Sequence, residues 1–240
     1  MSYVLITSAA ILLCSLAGAA VGFCFADPSE RLDDVLSGSA AGIMLCAAVL
    51  GLVVPAAELA GDASVWLPAV GIVCGVLFLM LLGRCTPFLA GKIGMSGDSR
   101  GSALAFVAAI AIHHLPEGIA AGVSFGTGEL SDAITVVSGI ALQNIPEGMI
   151  IIPPLLQNGA GRKKAAFTAF VSAFVEVIGV ALGYFAVTLS KAILPFALAF
   201  AAGTMLFVIT DDMIPNHKGR LASLSLLAGF CAMLSINSLF

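Results

Sequence analysis

Apolar residues in this chain run in long unbroken blocks, separated by short polar gaps, rather than alternating with polar ones. A helix needs about 20 apolar residues to cross the roughly 30 Å hydrocarbon core of a bilayer. Eight stretches meet that length: 3–26, 35–57, 64–83, 103–125, 131–157, 165–189, 193–213 and 220–239. Transmembrane β-strands would alternate lipid-facing and lumen-facing residues, so the continuous runs argue against a barrel. The longest polar interruption, Arg84 to Ser102, leaves no room for a soluble domain. The prediction is an all-α polytopic membrane bundle of eight helices, with 1–240 as a single integral membrane domain. No Lys or Arg precedes Arg31, so the first stretch lacks the basic leader of a signal peptide and reads as a retained helix.

Composition agrees with a lipid environment. Hydrophobic residues make up 60% of the chain and charged ones 10%, with mean hydropathy +1.11, far from a soluble mix. Lipid is the expected surrounding and no nucleic-acid partner is expected. The few charges are unevenly placed. Arg31, Arg84, Lys92, Arg100, Arg162, Lys163, Lys164, Lys218 and Arg220 lie in the gaps after the first, third, fifth and seventh stretches, and only Lys191 lies in the others. The positive-inside rule makes the odd gaps cytoplasmic and both termini extracytoplasmic. Asp62, Glu129 and Asp132, with Glu58 near one mouth, form an outer acidic rim. That rim either attracts cations or consists of ordinary solvated loop ends.

Of the six cysteines, Cys14, Cys24, Cys46, Cys74 and Cys231 lie within apolar spans, Cys85 lies at a cytoplasmic end, and no CxxC occurs. Packing is their expected role. Gly118, Gly122 and Gly126 form a row at four-residue spacing, as do Gly18 and Gly22, which allows close helix contact.

One polar phrase occurs twice where charge is least tolerated. HHLPEG at His113–Gly118 and QNIPEG at Gln143–Gly148 interrupt the fourth and fifth stretches. Ionisable groups inside apolar spans are costly and mark functional sites by default. On a helix, His113 shares a face with Glu117 and Gln143 with Glu147, four residues apart, while His114 and Asn144 stand three before the same carboxylates. Imidazole, carboxylate and amide oxygen together suit a divalent transition metal. Pro116 and Pro146 deprive the carbonyls of Ile112 and Leu142 of their helical donors, so a kink is expected at each. Successive spans run in opposite directions, which would face the two phrases toward each other near the midplane, as inverted elements do in transporters. The competing reading is interhelical hydrogen-bond glue. Two matched phrases holding two His, two Glu, a Gln and an Asn exceed what glue requires.

Other polar positions join less firmly. Glu176 is the sole charge midway along the sixth stretch; it either faces the same interior or is a protonated packing carboxylate. Met44 offers a soft thioether, but a methionine at such a position is usually a core filler. Asp211 and Asp212, near Pro215 and His217, either receive a leaving ion or simply end a helix at water.

Together, the paired PEG phrases, AAGIML with VVPAAELAG, FVEVIG, and FALAFAAGTMLFVITDDMIP resemble the ZIP (Zrt/Irt-like) divalent metal transporters of bacterial type, from about Gly38 to Pro215. The resemblance implies a binuclear metal site between the fourth and fifth helices, with Glu117 and Glu147 as bridging carboxylates. Met44, His113 and Gln143 would complete the transport site, and His114, Asn144 and Glu176 the other. Glu58 matches an acidic position near the outer entrance. The resemblance also implies eight helices with both termini outside, homodimers, and ion movement toward the cytoplasm. It departs in having His at 114, where many bacterial members have Asn, and Asn at 144, where some have Asp or His. The second site thus exchanges negative charge for imidazole. The short loop after the third stretch lacks a His cluster, so metal sensing there is not supported.

The expected activity is import of divalent cations through a multi-pass protein of the cell's inner membrane by alternating access. Zinc is the first choice, with iron, manganese, cobalt and cadmium as alternatives. The metal is substrate; no prosthetic group and no enzyme activity are expected. The cation would enter past Glu58 and leave near Asp211 and Asp212. A selective cation channel using the same residues would differ by ohmic single-channel currents. An intramembrane metallohydrolase would need an HExxH-like arrangement with an open coordination position, whereas the order here is HHxxE with no evident third partner.

Overall fold

The computed structural model describes residues 2–25, 29–61, 64, 66–92, 114–157, 159–189, 191–214 and 219–239. Its described residues are helical and contain no strand. Helix α1 spans Ser2–Gly22. Helix α2 runs Glu30–Ala48, widens through a π turn Val49–Val53 and finishes as Val54–Ala60. Helix α3 is Trp66–Lys92, and α4 is helical over 114–124. Helices α5 and α6 are Leu130–Gln157 and Arg162–Leu189. Helix α7, Leu194–Val208, continues into a second π turn Ile209–Met213, and α8 is Arg220–Asn237. Among the described residues, seven of these are long and apolar enough to cross a membrane, and 114–124 lies inside the fourth expected span. The chain is a multi-pass membrane bundle.

The two largest boundary differences from the sequence expectation are in α2 and α3. Helix α2 begins five residues early, at Glu30, because Ser29 caps it by accepting the Leu32 N–H (3.3 Å) and Glu30 and Asp33 occupy its first turn, where carboxylates favour the helix dipole. Helix α3 continues past Gly83 to Lys92, so the first nine residues of the expected polar interruption are helical. Hydropathy marks the edge of the hydrocarbon, not the end of a helix. Asp62, the segment 93–113 with His113 and Arg100, and Pro215, His217 and Lys218 lie outside the described residues.

Both π turns have the same cause. Each sits immediately before Val54-Pro55 or Ile214-Pro215. A proline cannot donate to the carbonyl four residues back, and the preceding N–H instead reaches five back: Val54 to the Val49 carbonyl, Ile214 to the Ile209 carbonyl. Helix α5, by contrast, remains helical through Pro146.

The glycines show which helices touch and in which sense. A Cβ on Gly18 would strike the Ile145 carbonyl and one on Gly22 the Met149 carbonyl, so α1 and α5 run parallel. Gly38 and Gly42 meet Ala222 and Leu226, pairing α2 with α8; Gly71 and Gly75 meet Phe196 and Phe200, pairing α3 with α7. Gly118 and Gly122 meet Glu176 and Val180, pairing α4 with α6. Each parallel pair joins helices of like parity. The pair α2 and α5, with Gly51 on Val136 and Gly139 on Ala47, is antiparallel and of unlike parity. Strict up-and-down alternation along the chain produces this pattern. The Gly118/Gly122 and Gly18/Gly22 rows thus serve the packing expected of them, since close backbone approach replaces the hydrophobic drive that lipid removes.

Alternation sorts the charges. Arg162 donates to the Phe23 carbonyl (3.4 Å) and lies 5.5 Å over the Phe23 ring, joining the start of α6 to the end of α1. Together with the Gly38–Ala222 contact, this gathers Arg31, Arg162, Lys163, Lys164 and Arg220 at one end of the bundle. Glu58, Glu129 and Asp132 lie at the other, with Trp66 and Tyr3, both largely exposed, as interfacial aromatics. At that end Thr135 donates to Asn237 Oδ1 (2.7 Å), tying α5 to α8. Interhelical hydrogen bonds in membranes are worth about 0.6 kcal/mol on average. Thr135→Val is therefore expected to lower the thermal midpoint by only a few degrees.

Candidate metal centre

The polar residues of the two PEG phrases meet inside the bundle rather than facing lipid. His114 and Glu117 are 3% and 1% exposed, and Gln143, Asn144 and Glu176 are fully buried; Glu147 is half-buried. Gln143 Nε2 donates to Glu117 Oε1 (2.8 Å), which joins α4 to α5 directly. Asn144 Nδ2 faces both oxygens of Glu176, at 2.9 and 2.8 Å, and the Ser15 hydroxyl at 2.9 Å. His114 Nδ1 lies 3.3 Å from Glu176 Oε2. Four helices, α1, α4, α5 and α6, therefore contribute to one polar cluster.

Local sequence explains the positions. Gly118 follows Glu117 and packs on the Glu176 backbone, while Gly179 meets the Leu115 carbonyl. This tight crossing brings His114 within reach of Glu176. Gly148, beside Glu147, meets the Ser15 carbonyl, and Gly18 the Ile145 carbonyl, so α1 is close enough for Ser15 to accept from Asn144.

The cluster is rich in acceptors that no described residue satisfies. Glu117 Oε2, Gln143 Oε1, Asn144 Oδ1 and Glu147 Oε1 are buried and have no hydrogen-bond partner among the described residues. A buried unpaired acceptor costs about 1–3 kcal/mol, more when charged. One ligand atom each from His114, Glu117 and Glu147 lie within 4.8 Å of one another. Were both carboxylates ionised at that spacing, their repulsion would be about 3 kcal/mol at an effective dielectric of about 20. A divalent cation would relieve the repulsion and engage the unpaired oxygens together. The donor set of imidazole nitrogen, carboxylate oxygen and amide oxygen is one that zinc and neighbouring metals accept.

Of the remaining expected residues, His113 lies outside the described residues. Met44 is fully buried in an apolar cluster with Ala120, Ala121 and Ile140. Glu58 is exposed on the last turn of α2, and Asp211 is exposed in the π turn that also contains Asp212. Two hydroxyls went unremarked in the sequence. Ser15 lies three residues before Gly18 and so on the face of the small-residue row, a spacing that could have pointed to it. Ser172 lies four before Glu176 on the same helical face; it is fully buried and its Oγ has no partner among the described residues.

The family model described as ZIP Zinc transporter matches residues 92–237. Zinc transporter GufA of Myxococcus xanthus is 40% identical over 78% of each chain. Zinc transporter ZIP11 of Xenopus tropicalis is 41% identical over 59% of this chain and 45% of its own length. Zinc transporter ZIPB of Bordetella bronchiseptica is 31% identical over 88% of this chain and 72% of its own. With the family match covering more than half the chain and both PEG phrases inside it, this chain belongs to the ZIP zinc transporter family.

Proposed function

We propose that this protein moves divalent cations, zinc first, across the cell's inner membrane into the cytoplasm by alternating access, as a single membrane domain working in homodimers. The observation that carries the reading is the cluster of His114, Glu117 and Glu147 with its buried acceptor oxygens that have no partner among the described residues. Glu117 and Glu147 flank the cation, and Gln143 Oε1 and His114 supply further donors. By the family resemblance, His113 and Met44 complete the set. The basic end of the bundle faces the cytoplasm by the positive-inside rule, which leaves both termini outside. The cation then enters at the acidic end past Glu58 and leaves near Asp211 and Asp212.

The direct test is uptake of labelled zinc by proteoliposomes of purified protein. Saturable, strongly temperature-dependent uptake is expected, whereas ohmic single-channel currents would contradict a carrier. Because imidazole and carboxylate bind metal only when deprotonated, protons compete with the cation. Uptake at subsaturating zinc is expected to fall as the pH on the entry side is lowered from about 7 to about 5, through the range where histidine gains its charge. Rising uptake over that interval would contradict the assignment.

A further inference from the structure

Among the described residues, Ser172 carries the one enclosed hydroxyl that has no hydrogen-bond partner. Buried hydroxyls elsewhere in the bundle turn back on their own helices: Ser15 donates to the Ile11 carbonyl (3.0 Å), Ser124 to that of Ala121 (2.8 Å) and Thr204 to that of Ala201 (2.6 Å). Ser172 is fully buried in the middle of α6 and has the same option, yet it donates to no carbonyl there. Enclosed polar groups of this kind are completed by a water or a ligand.

Its place in the fold brings it to the metal centre. Gly118 packs on the Glu176 carbonyl and Gly122 on that of Val180, so the parallel helices α4 and α6 advance together, four residues for four. One turn back, the same register sets Ser172 level with His114. Toward the start of α6, Ala165 and Ala169 pack with Ala19, Ile151, Ile152 and Leu155. Ser172 is therefore the polar step between Glu176 and an apolar floor. The unpaired atoms of the centre, Glu117 Oε2, Gln143 Oε1, Asn144 Oδ1 and Glu147 Oε1, are acceptors. A hydroxyl is not among the usual zinc ligands, but it accepts hydrogen bonds well. Water bound to a dication is a strengthened donor, and with its oxygen on the metal it can only donate.

We propose that Ser172 is a substrate-positioning residue: its hydroxyl accepts a hydrogen bond from a water in the cation's coordination shell, so that the divalent cation is held partly hydrated beside the apolar floor. This rests on the reading of Glu117 and Glu147 as ligands. Because the hydroxyl has no partner among the described residues until the cation arrives, it serves binding and not the fold.

The test measures zinc affinity of purified protein in detergent, by competition with a chelating dye, beside the thermal midpoint of the metal-free protein. Ser172→Ala is expected to bind zinc about two- to tenfold more weakly, the worth of one net hydrogen bond. Its metal-free midpoint should stay unchanged or rise, because an unsatisfied polar group has left the interior. Unchanged affinity, or a weaker affinity accompanied by a lower metal-free midpoint, would overturn the proposal. Ser172→Cys replaces the hydroxyl by a poor acceptor and should show the same weakening, which also covers the case in which Ser172→Ala does not assemble. Loaded with cadmium, Ser172→Cys should show no thiolate-to-cadmium charge-transfer band beyond that of the wild-type protein. Such a band would make position 172 a direct ligand and overturn the water-mediated contact. Zinc bound as tightly by Glu117→Ala/Glu147→Ala as by the wild type would instead sink the ligand assignment itself, and the proposal with it.

Discussion

Protein carrying Glu117→Ala and Glu147→Ala together is expected to insert and fold but to take up no zinc above the rate of empty vesicles. The two carboxylates are the negative charges of the proposed centre, and each supplies a buried, unpaired oxygen. Four-ligand structural zinc sites bind with about 10–16 kcal/mol, so each ligand accounts for roughly 3 kcal/mol, or about a hundredfold in affinity. Losing two donors as well as the charge that neutralises a dication takes binding beyond the measurable range. The variant also takes away the acceptor of Gln143 Nε2, a loss of about 1–3 kcal/mol, so a lower thermal midpoint is expected with the bundle still assembled. The outcome to measure is initial uptake in proteoliposomes beside the thermal midpoint of the same preparation. Retained uptake would show that the cation passes elsewhere.

The second large effect is expected where no ligand changes. Gly118→Leu should disrupt the bundle and eliminate zinc binding, although residue 118 offers no side chain to the metal. Its Cβ would strike the Glu176 carbonyl and close on Gly179, and neither is a flexible side-chain end that can turn away. Overpacking costs about 1–3 kcal/mol where side chains can shift; here two helix backbones must separate. Separation draws Glu176 away from His114 and leaves buried polar groups unpaired on both helices. Gly83→Leu is the control, because nothing lies within 4 Å of a Cβ there. Monodisperse, zinc-binding Gly118→Leu protein would contradict the described α4–α6 crossing.

Much of this molecule is legible in its sequence, for reasons that differ by feature. The helices are visible because lipid demands long apolar runs, and their alternating sense follows from the short connections. The separation of Arg31, Arg162 and Arg220 from Glu58 and Glu129 could be read before any helix was placed. Hydropathy does not report helix ends in water, so the nine residues after Gly83 were expected as loop. The π turns before Pro55 and Pro215 were also missed, although each proline sits two residues beyond its turn and removes a donor in the same way.

Within the centre, spacing grouped His114 with Glu117 and Asn144 with Glu147 on helix faces. What spacing could not supply was partners between helices. Nothing in FVEVIG says that Glu176 receives the amide of a residue 32 positions earlier, and nothing in LLCSLAG says that Ser15 receives it too. Those contacts depend on glycine crossings that place α1 and α6 against α5 and α4.

The most direct measurement of the central claim is an anomalous difference map at the zinc edge from crystals grown with the metal. A peak is expected between the carboxylates of Glu117 and Glu147 and adjacent to His114. Zinc confined to Glu58 or Asp211 at the two ends, with no anomalous density between the PEG phrases, would contradict it.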